Sequence, residues 1–273
     1  MTPSSRAALE NTVFLAALAD GFGVDLRNCA PDYIERSLER LRRKRQPENL
    51  LITLDKLIQG DIQVNEIIDQ LTIGTSEFFR DVDAYEFLQN TILPSLDTYP
   101  SIKIWSAGCS DGRELISLCV LLNDSGLLDK TVIYASDLSA QATKQARAAI
   151  FDKRDIQEFA NRYAQLSGRR SSTDFYVHDV DKGIFKRDLL ANVVFVDHDL
   201  LSQTRLDVFH LILCRNVLIY YQNEAQTSIV NLLTASLVER GFLMLGKPET
   251  ICSDQVRDQY KLINNDFRVF QRR

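Results

Sequence analysis

The chain has 273 residues, 45% hydrophobic and 25% charged, with a net charge of -5. That length suits one large or two modest domains able to bury a core without disulfides or metals. The acidic balance argues against a general nucleic-acid binder, which needs a basic footprint. Five cysteines and three histidines fall in no metal-ligand spacing, so reduced thiols in a cytoplasm are expected and a metal site is not. Near the N-terminus, Glu10, Asn11 and Asp20 interrupt or flank the apolar stretch. It reads as an ordinary helix, not as a leader or a membrane span.

The first third continues as helix. Leu9, Val13, Leu15, Ala16 and Leu18 supply apolar positions within residues 6–20. Ile34, Leu38 and Leu41 then follow at i, i+4, i+7, with Pro31 placed where a helix start tolerates it. Leu50–Leu57 and Val64–Leu71 extend the pattern, and residues 1–80 offer no convincing strand. Arg36, Arg40 and Arg43 share one helix face within a basic cluster that includes Arg42, Lys44 and Arg45. Such a face is either solvated and paired with Glu35 and Glu39, or a docking surface for an acidic helical partner.

Near residue 100 the pattern changes. Strands are expected at Ile102–Gly108, Thr131–Asp137, Val193–Val196, Val208–Cys214 and Gly241–Leu245. Helical stretches lie between them, at Leu115–Leu122, Ala140–Ile150 and roughly Gln222–Val238. This alternation predicts a mostly parallel sheet covered on both faces, an α/β fold. Residues 163–195 break it and read as a small antiparallel insertion.

In an open α/β sheet, ligands bind beyond the carboxyl ends of the strands. The loop after the first strand, Ser106–Glu114, holds Gly108 and Gly112 for tight turns and close approach, but no phosphate-loop Lys and no G-x-G-x-x-G. Its acids, Asp111 and Glu114, favour a cation or hydroxyls over a pyrophosphate. S-adenosylmethionine offers both; a plain β–α turn is the competing reading. Asp137 ends the second strand, 25 residues after Gly112, where an acid can accept from ribose hydroxyls or cap the next helix. Asp199 could meet an adenine amino group while Leu200 packs on the ring, or be a solvated loop acid.

Four stretches carry a family resemblance. They are Thr72–Asp81 (TIGTSEFFRD), Trp105–Glu114 (WSAGCSDGRE), Cys214–Tyr221 (CRNVLIYY) and Gly246–Thr250 (GKPET). Their order and spacing from about residue 30 onward resemble CheR, the chemotaxis receptor methyltransferases. The C-R-N-V-L-I-Y run is the most specific of the four. The resemblance implies a helical domain and linker at 1–85. It implies a Rossmann-like methyltransferase domain at 86–273, with the β-subdomain at about 163–195.

The resemblance also implies S-adenosylmethionine as cofactor and S-adenosylhomocysteine as product. It implies glutamate side chains of a chemoreceptor's cytoplasmic helical region as acceptors, with no nucleic acid and no membrane insertion. Residue by residue, it places Ser76, Arg80, Gly108, Glu114, Asp137, Asp199, Leu200, Arg215 and Asn216 around the cofactor. Arg80 and Tyr220 go to the methyl-transfer site, and Arg36, Arg40 and Arg43 to the receptor. Read without it, Arg80 fits a surface ion pair with Asp81 or Asp83, and Tyr220 a core aromatic. Gly74, Arg113, Leu115, Ile116, Asp199 and Lys247-Pro248 depart from the family pattern. They keep two other readings in view, a different acceptor or a non-catalytic module of the same fold.

Overall fold

The computed structural model describes residues 3–45, 49–72, 74, 76–166 and 170–273. Ile73 and Thr75 of the Thr72–Asp81 stretch, and Gly168 and Arg169 of the expected insertion, lie outside the described residues. The chain divides into two compact units, one of residues 1–73 with 219–226 and the other of residues 74–218 with 227–273.

The first unit holds helices α1 (Pro3–Phe22), α2 (Pro31–Lys44), α3 (Leu50–Gln59) and α4 (Val64–Leu71). Pro31 opens α2, which buries Tyr33, Ser37, Leu38 and Leu41 along one face. Asn49 caps α3 by accepting from Ile52 N at 2.9 Å. Gly60, at φ 81°, ends it in the left-handed conformation that glycine adopts without a Cβ penalty. The returning segment 219–226 is laced to the α1–α2 connection. Ala30 N donates to Tyr220 O (2.8 Å), Gln222 N donates to Asn28 O (3.0 Å), and Cys29 pairs with Tyr221 in a β-bridge.

The second unit begins with α5 (Val82–Phe87) and α6 (Leu93–Leu96), joined by a π-type turn at Leu88–Ile92. The change of unit falls at residue 73 and not near residue 85, because Phe78, Phe79, Tyr85 and Leu88 are buried in this unit's core. There follow β1 (Ile102–Ala107), α7 (Arg113–Asp124), β2 (Thr131–Asp137), α8 (Ala140–Ala148), β3 (Ile150–Asp152), α9 (Lys153–Tyr163), β4 (Tyr176–Asp179), β5 (Lys182–Phe185), β6 (Val193–Asp197) and β7 (Phe209–Cys214). The chain closes with α10 (Asn223–Ala235), β8 (Leu237–Leu245), α11 (Asp254–Arg257), β9 (Tyr260–Asn264) and β10 (Val269–Arg272).

Seven strands form one sheet in the order β6-β2-β1-β7-β8-β10-β9, parallel from β6 to β8 and antiparallel at β10 and β9. The order reverses at β1, where the chain moves first toward β6 and later toward β8. A crevice for a ligand opens at such a switch point.

A separate antiparallel sheet has the order β3-β5-β4. It reaches back to Ile150, upstream of the expected 163–195, and β6 belongs to the large sheet instead. The helix expected over 140–150 therefore stops at Ala148, and Ala149 turns the chain at φ 51°. Helix α9 lies on this small sheet. A Cβ at Gly183 of β5 would collide with Ile156, so glycine sets the closeness of the packing. Phe78 packs edge-on against Phe151 and Phe159 at 5.0 and 5.3 Å, joining the small sheet to the segment that precedes α5. Among the described residues, no helix is long and apolar enough to cross a membrane.

Candidate active site

The loops at the carboxyl ends of β1, β2, β6 and β7 carry most of the residues singled out from the sequence. Gly108 N and Cys109 N both donate to Ser136 O, at 2.8 and 2.9 Å, which fixes the β1 loop to the end of β2. Gly108 (φ 75°) and Gly112 (φ 92°) occupy left-handed backbone, and their missing Cβ atoms have packing consequences. A Cβ at Gly108 would meet Val217 Cγ2 at 2.5 Å, and one at Gly112 would meet Ala146 Cα at 2.7 Å. Both glycines therefore let protein approach protein, in addition to the close ligand approach expected from the sequence.

Asp137 spans two loops. Its Oδ2 accepts from Ser110 N (2.8 Å) and its Oδ1 from Ser139 N (3.0 Å). Ser139 caps α8 by accepting from Ala142 N at 3.0 Å, so the cap does not require Asp137. Burial pushes the Asp137 carboxyl above its ordinary value. The Ser139, Ser110 and Leu138 amides oppose that shift, and the nearby Asp197 charge adds to it. After β6, His198 N donates to Asp137 O at 2.8 Å. Asp199 then caps a short turn through Leu201 N (2.8 Å), leaving Leu200 buried beside it.

Glu114 and Arg215 meet across the sheet end. Arg215 Nη1 lies 2.9 Å from Glu114 Oε2. Its Nη2 lies 2.7 Å from Asp81 Oδ2 and donates to Arg80 O at 3.0 Å. The Arg215 side chain is 1% exposed. Burial of Glu114 raises its carboxyl despite the charges of Arg215 and Arg80. Lys247 closes the chain of charges at 3.0 Å from Asp81 Oδ1. Asn216, at φ 59°, donates its N–H to Glu249 Oε2 (2.8 Å), and Gly246 N donates to the same oxygen (2.6 Å). Buried Glu249 thus ties the β7 loop to the β8 loop.

The segment before α5 is held just as firmly. Phe79 (φ 44°) and Asp81 (φ 60°) flank Arg80 in left-handed backbone, an energetically costly conformation that concentrates at functional sites. Phe79 N donates to Ser117 Oγ at 2.8 Å. Arg80 Nη2 pairs with Glu77 Oε1 at 3.2 Å, and not with Asp81 or Asp83. Ser76 O accepts from Arg113 Nη1 at 3.3 Å. Arg113 also pairs with Asp111 (2.7 Å) and with Asp155 of α9 (2.8 Å), its guanidinium 5.5 Å from the Phe151 ring centre. At this departure from the family pattern the chain has a cationic junction.

This frame offers polar groups to S-adenosylmethionine. Ser110 Oγ and Asn216 Oδ1 are buried without a hydrogen-bond partner among the described residues, in the β1 and β7 loops respectively. Buried polar atoms of this kind suit a polar ligand. Asp137 retains acceptor capacity on both oxygens beyond its backbone donors. The residues therefore fit a ligand that combines ammonium, carboxylate and ribose groups.

Residues 74–268 match the family model described as CheR methyltransferase, SAM binding domain. The chain belongs to the CheR family. Its cofactor is accordingly S-adenosylmethionine, and it is a methyltransferase. The chain is 31% identical to the protein Cher3 of Pseudomonas putida over 274 residues, covering all of both chains. The chemotaxis protein methyltransferase of Listeria monocytogenes is 32% identical over 70% of each chain, and that of Borreliella burgdorferi 27% identical over 85% of this chain and 84% of its own.

The remaining expected residues of this CheR-family chain lie in its helical unit. Tyr220 rests against Tyr33 with ring centroids 4.8 Å apart. Arg36 and Arg43 are exposed, Arg43 lying 3.6 Å from Glu39. Arg40, half-buried, also makes contacts within the unit. Its guanidinium donates to Gln70 O (3.1 Å) and Leu71 O (2.8 Å), because the last carbonyls of α4 lack intrahelical partners and attract a cation. Arg42 and Arg45 pair with Glu10 and Glu66.

Glu77 and Glu249 stood inside quoted motifs without a role, Asp81 was read only as a possible partner of Arg80, and Arg162 was not singled out. Their pairings Glu77–Arg162, Asp81–Arg215 and Glu249–Asn216 join positions distant in sequence.

Proposed function

We propose that this CheR-family enzyme transfers the methyl group of S-adenosylmethionine to glutamate side chains on the cytoplasmic helical region of a chemoreceptor. The observation that carries the reading is the Glu114–Arg215–Asp81 chain, which backs Arg80 at the sheet end beside the Ser110–Asp137 loop pair. The bound cofactor supplies an electrophilic methyl group. What the protein must add is alignment, since a glutamate is already ionised at neutral pH and needs no general base.

In this reading Asp137 accepts from the ribose hydroxyls, with Asp199 and Leu200 beside the adenine. Ser76, Gly108, Glu114, Arg215 and Asn216 line the remainder of the cofactor site. Arg80 receives the acceptor carboxylate with its guanidinium fork. Tyr220 is assigned to the methyl-transfer site, as the family resemblance implies, with its hydroxyl as a hydrogen-bonding group. Arg36 and Arg43 attract an acidic receptor helix by charge. The direct test incubates the protein with methyl-labelled cofactor and purified chemoreceptor cytoplasmic fragments. Base-labile label on glutamate is the expected result. Absence of label, with cofactor binding intact, would end the acceptor assignment.

A further inference from the structure

Two arginines share one carboxylate beside the candidate site. Glu77 Oε1 accepts from Arg80 Nη2 at 3.2 Å, while Glu77 Oε2 lies 2.6 Å from Arg162 Nη2. Arg162 is anchored independently. Its Nη1 donates to Phe78 O at 3.1 Å, and its Nη2 is 3.0 Å from Glu158 Oε1, one turn earlier on α9. Phe78 is fully buried among the aromatic rings of the small sheet, so that carbonyl is a fixed point. Arg80 is held more loosely. Its one ion pair among the described residues is the longer contact to Glu77, through a single nitrogen.

The electrostatics follow from this asymmetry. Glu77 and an incoming glutamate are the same chemical group, and Glu77 sits three residues from Arg80. An attached carboxylate competes at a high effective concentration. A guanidinium that draws this carboxylate away leaves the Arg80 fork open to an acceptor, whereas losing that guanidinium hands Glu77 wholly to Arg80.

We propose that Arg162 restrains Glu77 and so keeps Arg80 available to the carboxylate of the methyl-accepting glutamate. Arg162 and Glu77 are then positioning residues that act through Arg80. The inference rests on the reading of Arg80 given under Proposed function.

The test is steady-state methylation of a purified chemoreceptor cytoplasmic fragment with labelled S-adenosylmethionine. The Kd for S-adenosylhomocysteine is measured alongside by calorimetry. Arg162→Ala is expected to raise the KM for the receptor fragment about tenfold, the worth of roughly one charge-assisted hydrogen bond. Its kcat and the Kd should stay unchanged. Arg162→Lys should retain most of the wild-type KM, since a point charge still holds Glu77.

The deciding variant is the double change Glu77→Gln with Arg162→Ala, which removes the competitor and should restore the receptor KM. A double variant as impaired as Arg162→Ala overturns the proposal, because Arg162 would then act through the packing of α9. An unchanged KM in Arg162→Ala overturns it as well. Should Arg162→Ala not fold, Arg162→Met keeps the aliphatic stem and takes its place. Arg80→Ala is run in parallel. Unimpaired methylation in that variant defeats the reading of Arg80 itself, whereas impaired Arg80→Ala beside silent Arg162→Ala defeats this inference alone.

Discussion

At Asp137, burial and backbone donors pull one carboxyl in opposite directions, and burial prevails. In the proposed cofactor site ribose hydroxyls donate to the ionised form, so cofactor affinity should be fully present above the folded-state pKa and lost as pH falls through it. Because that pKa is raised, the loss sets in above the ordinary Asp value of 3.8. Calorimetric titration of S-adenosylhomocysteine against pH should show this for the wild type. Asp137→Ala should lose about 1–3 kcal/mol of binding and with it the pH dependence. Arg80 carries the second prediction at this scale. Arg80→Ala should fold and lose most methyl transfer, and Arg80→Lys should rescue it poorly, because an ammonium cannot reproduce a planar fork. Turnover rates at saturating cofactor decide it. Asp137 was legible in the sequence because it ends a β-branched strand. Arg113 was visible only as a departure from the family pattern, since its partners Asp111 and Asp155 come from two different elements.

Strands β1, β2, β6 and β7 could be read from their short apolar runs, and their carboxyl ends are where the ligand-binding candidates were sought. The small sheet was harder. Helix α9 has Ile156, Phe159 and Tyr163 at helical spacing, but its charged sequence does not reveal that it lies over β5, where Gly183 admits Ile156. Strands β9 and β10 are short and partly exposed, and they gain their identity only by pairing, β10 with β8 and β9 with β10. The contact between the β1 loop and α8 permits a quantitative test. Gly112→Ala places a methyl group 2.7 Å from backbone Cα of Ala146 at a positive φ. The stability loss should be about 2–4 kcal/mol in denaturant unfolding, because backbone on both sides cannot yield cheaply. A loss below the measurement error would mean that α8 shifts freely.

The molecule as a whole is acidic, yet α2 presents exposed Arg36 and Arg43 on one face. Reversing both charges should slow receptor methylation more at low salt than at high salt, as screened attraction is removed, and leave cofactor affinity alone. Equal rates at every ionic strength would return this face to simple solvation. Arg40 is omitted from the pair because its change would also uncap α4. The path of the chain has a further consequence, for inheritance by recombination. The helical unit is completed by eight residues, Ile219–Gln226, encoded far downstream of the rest of it. A crossover at residue 73 transplants a unit without its own parent's strand partner for Cys29 and acceptor for Ala30 N. Chimeras with another CheR-family chain that exchange residues 1–73 alone should melt below both parents, and those that also exchange 219–226 should recover. The fold of the helical unit is therefore inherited as two separated blocks of sequence that must travel together.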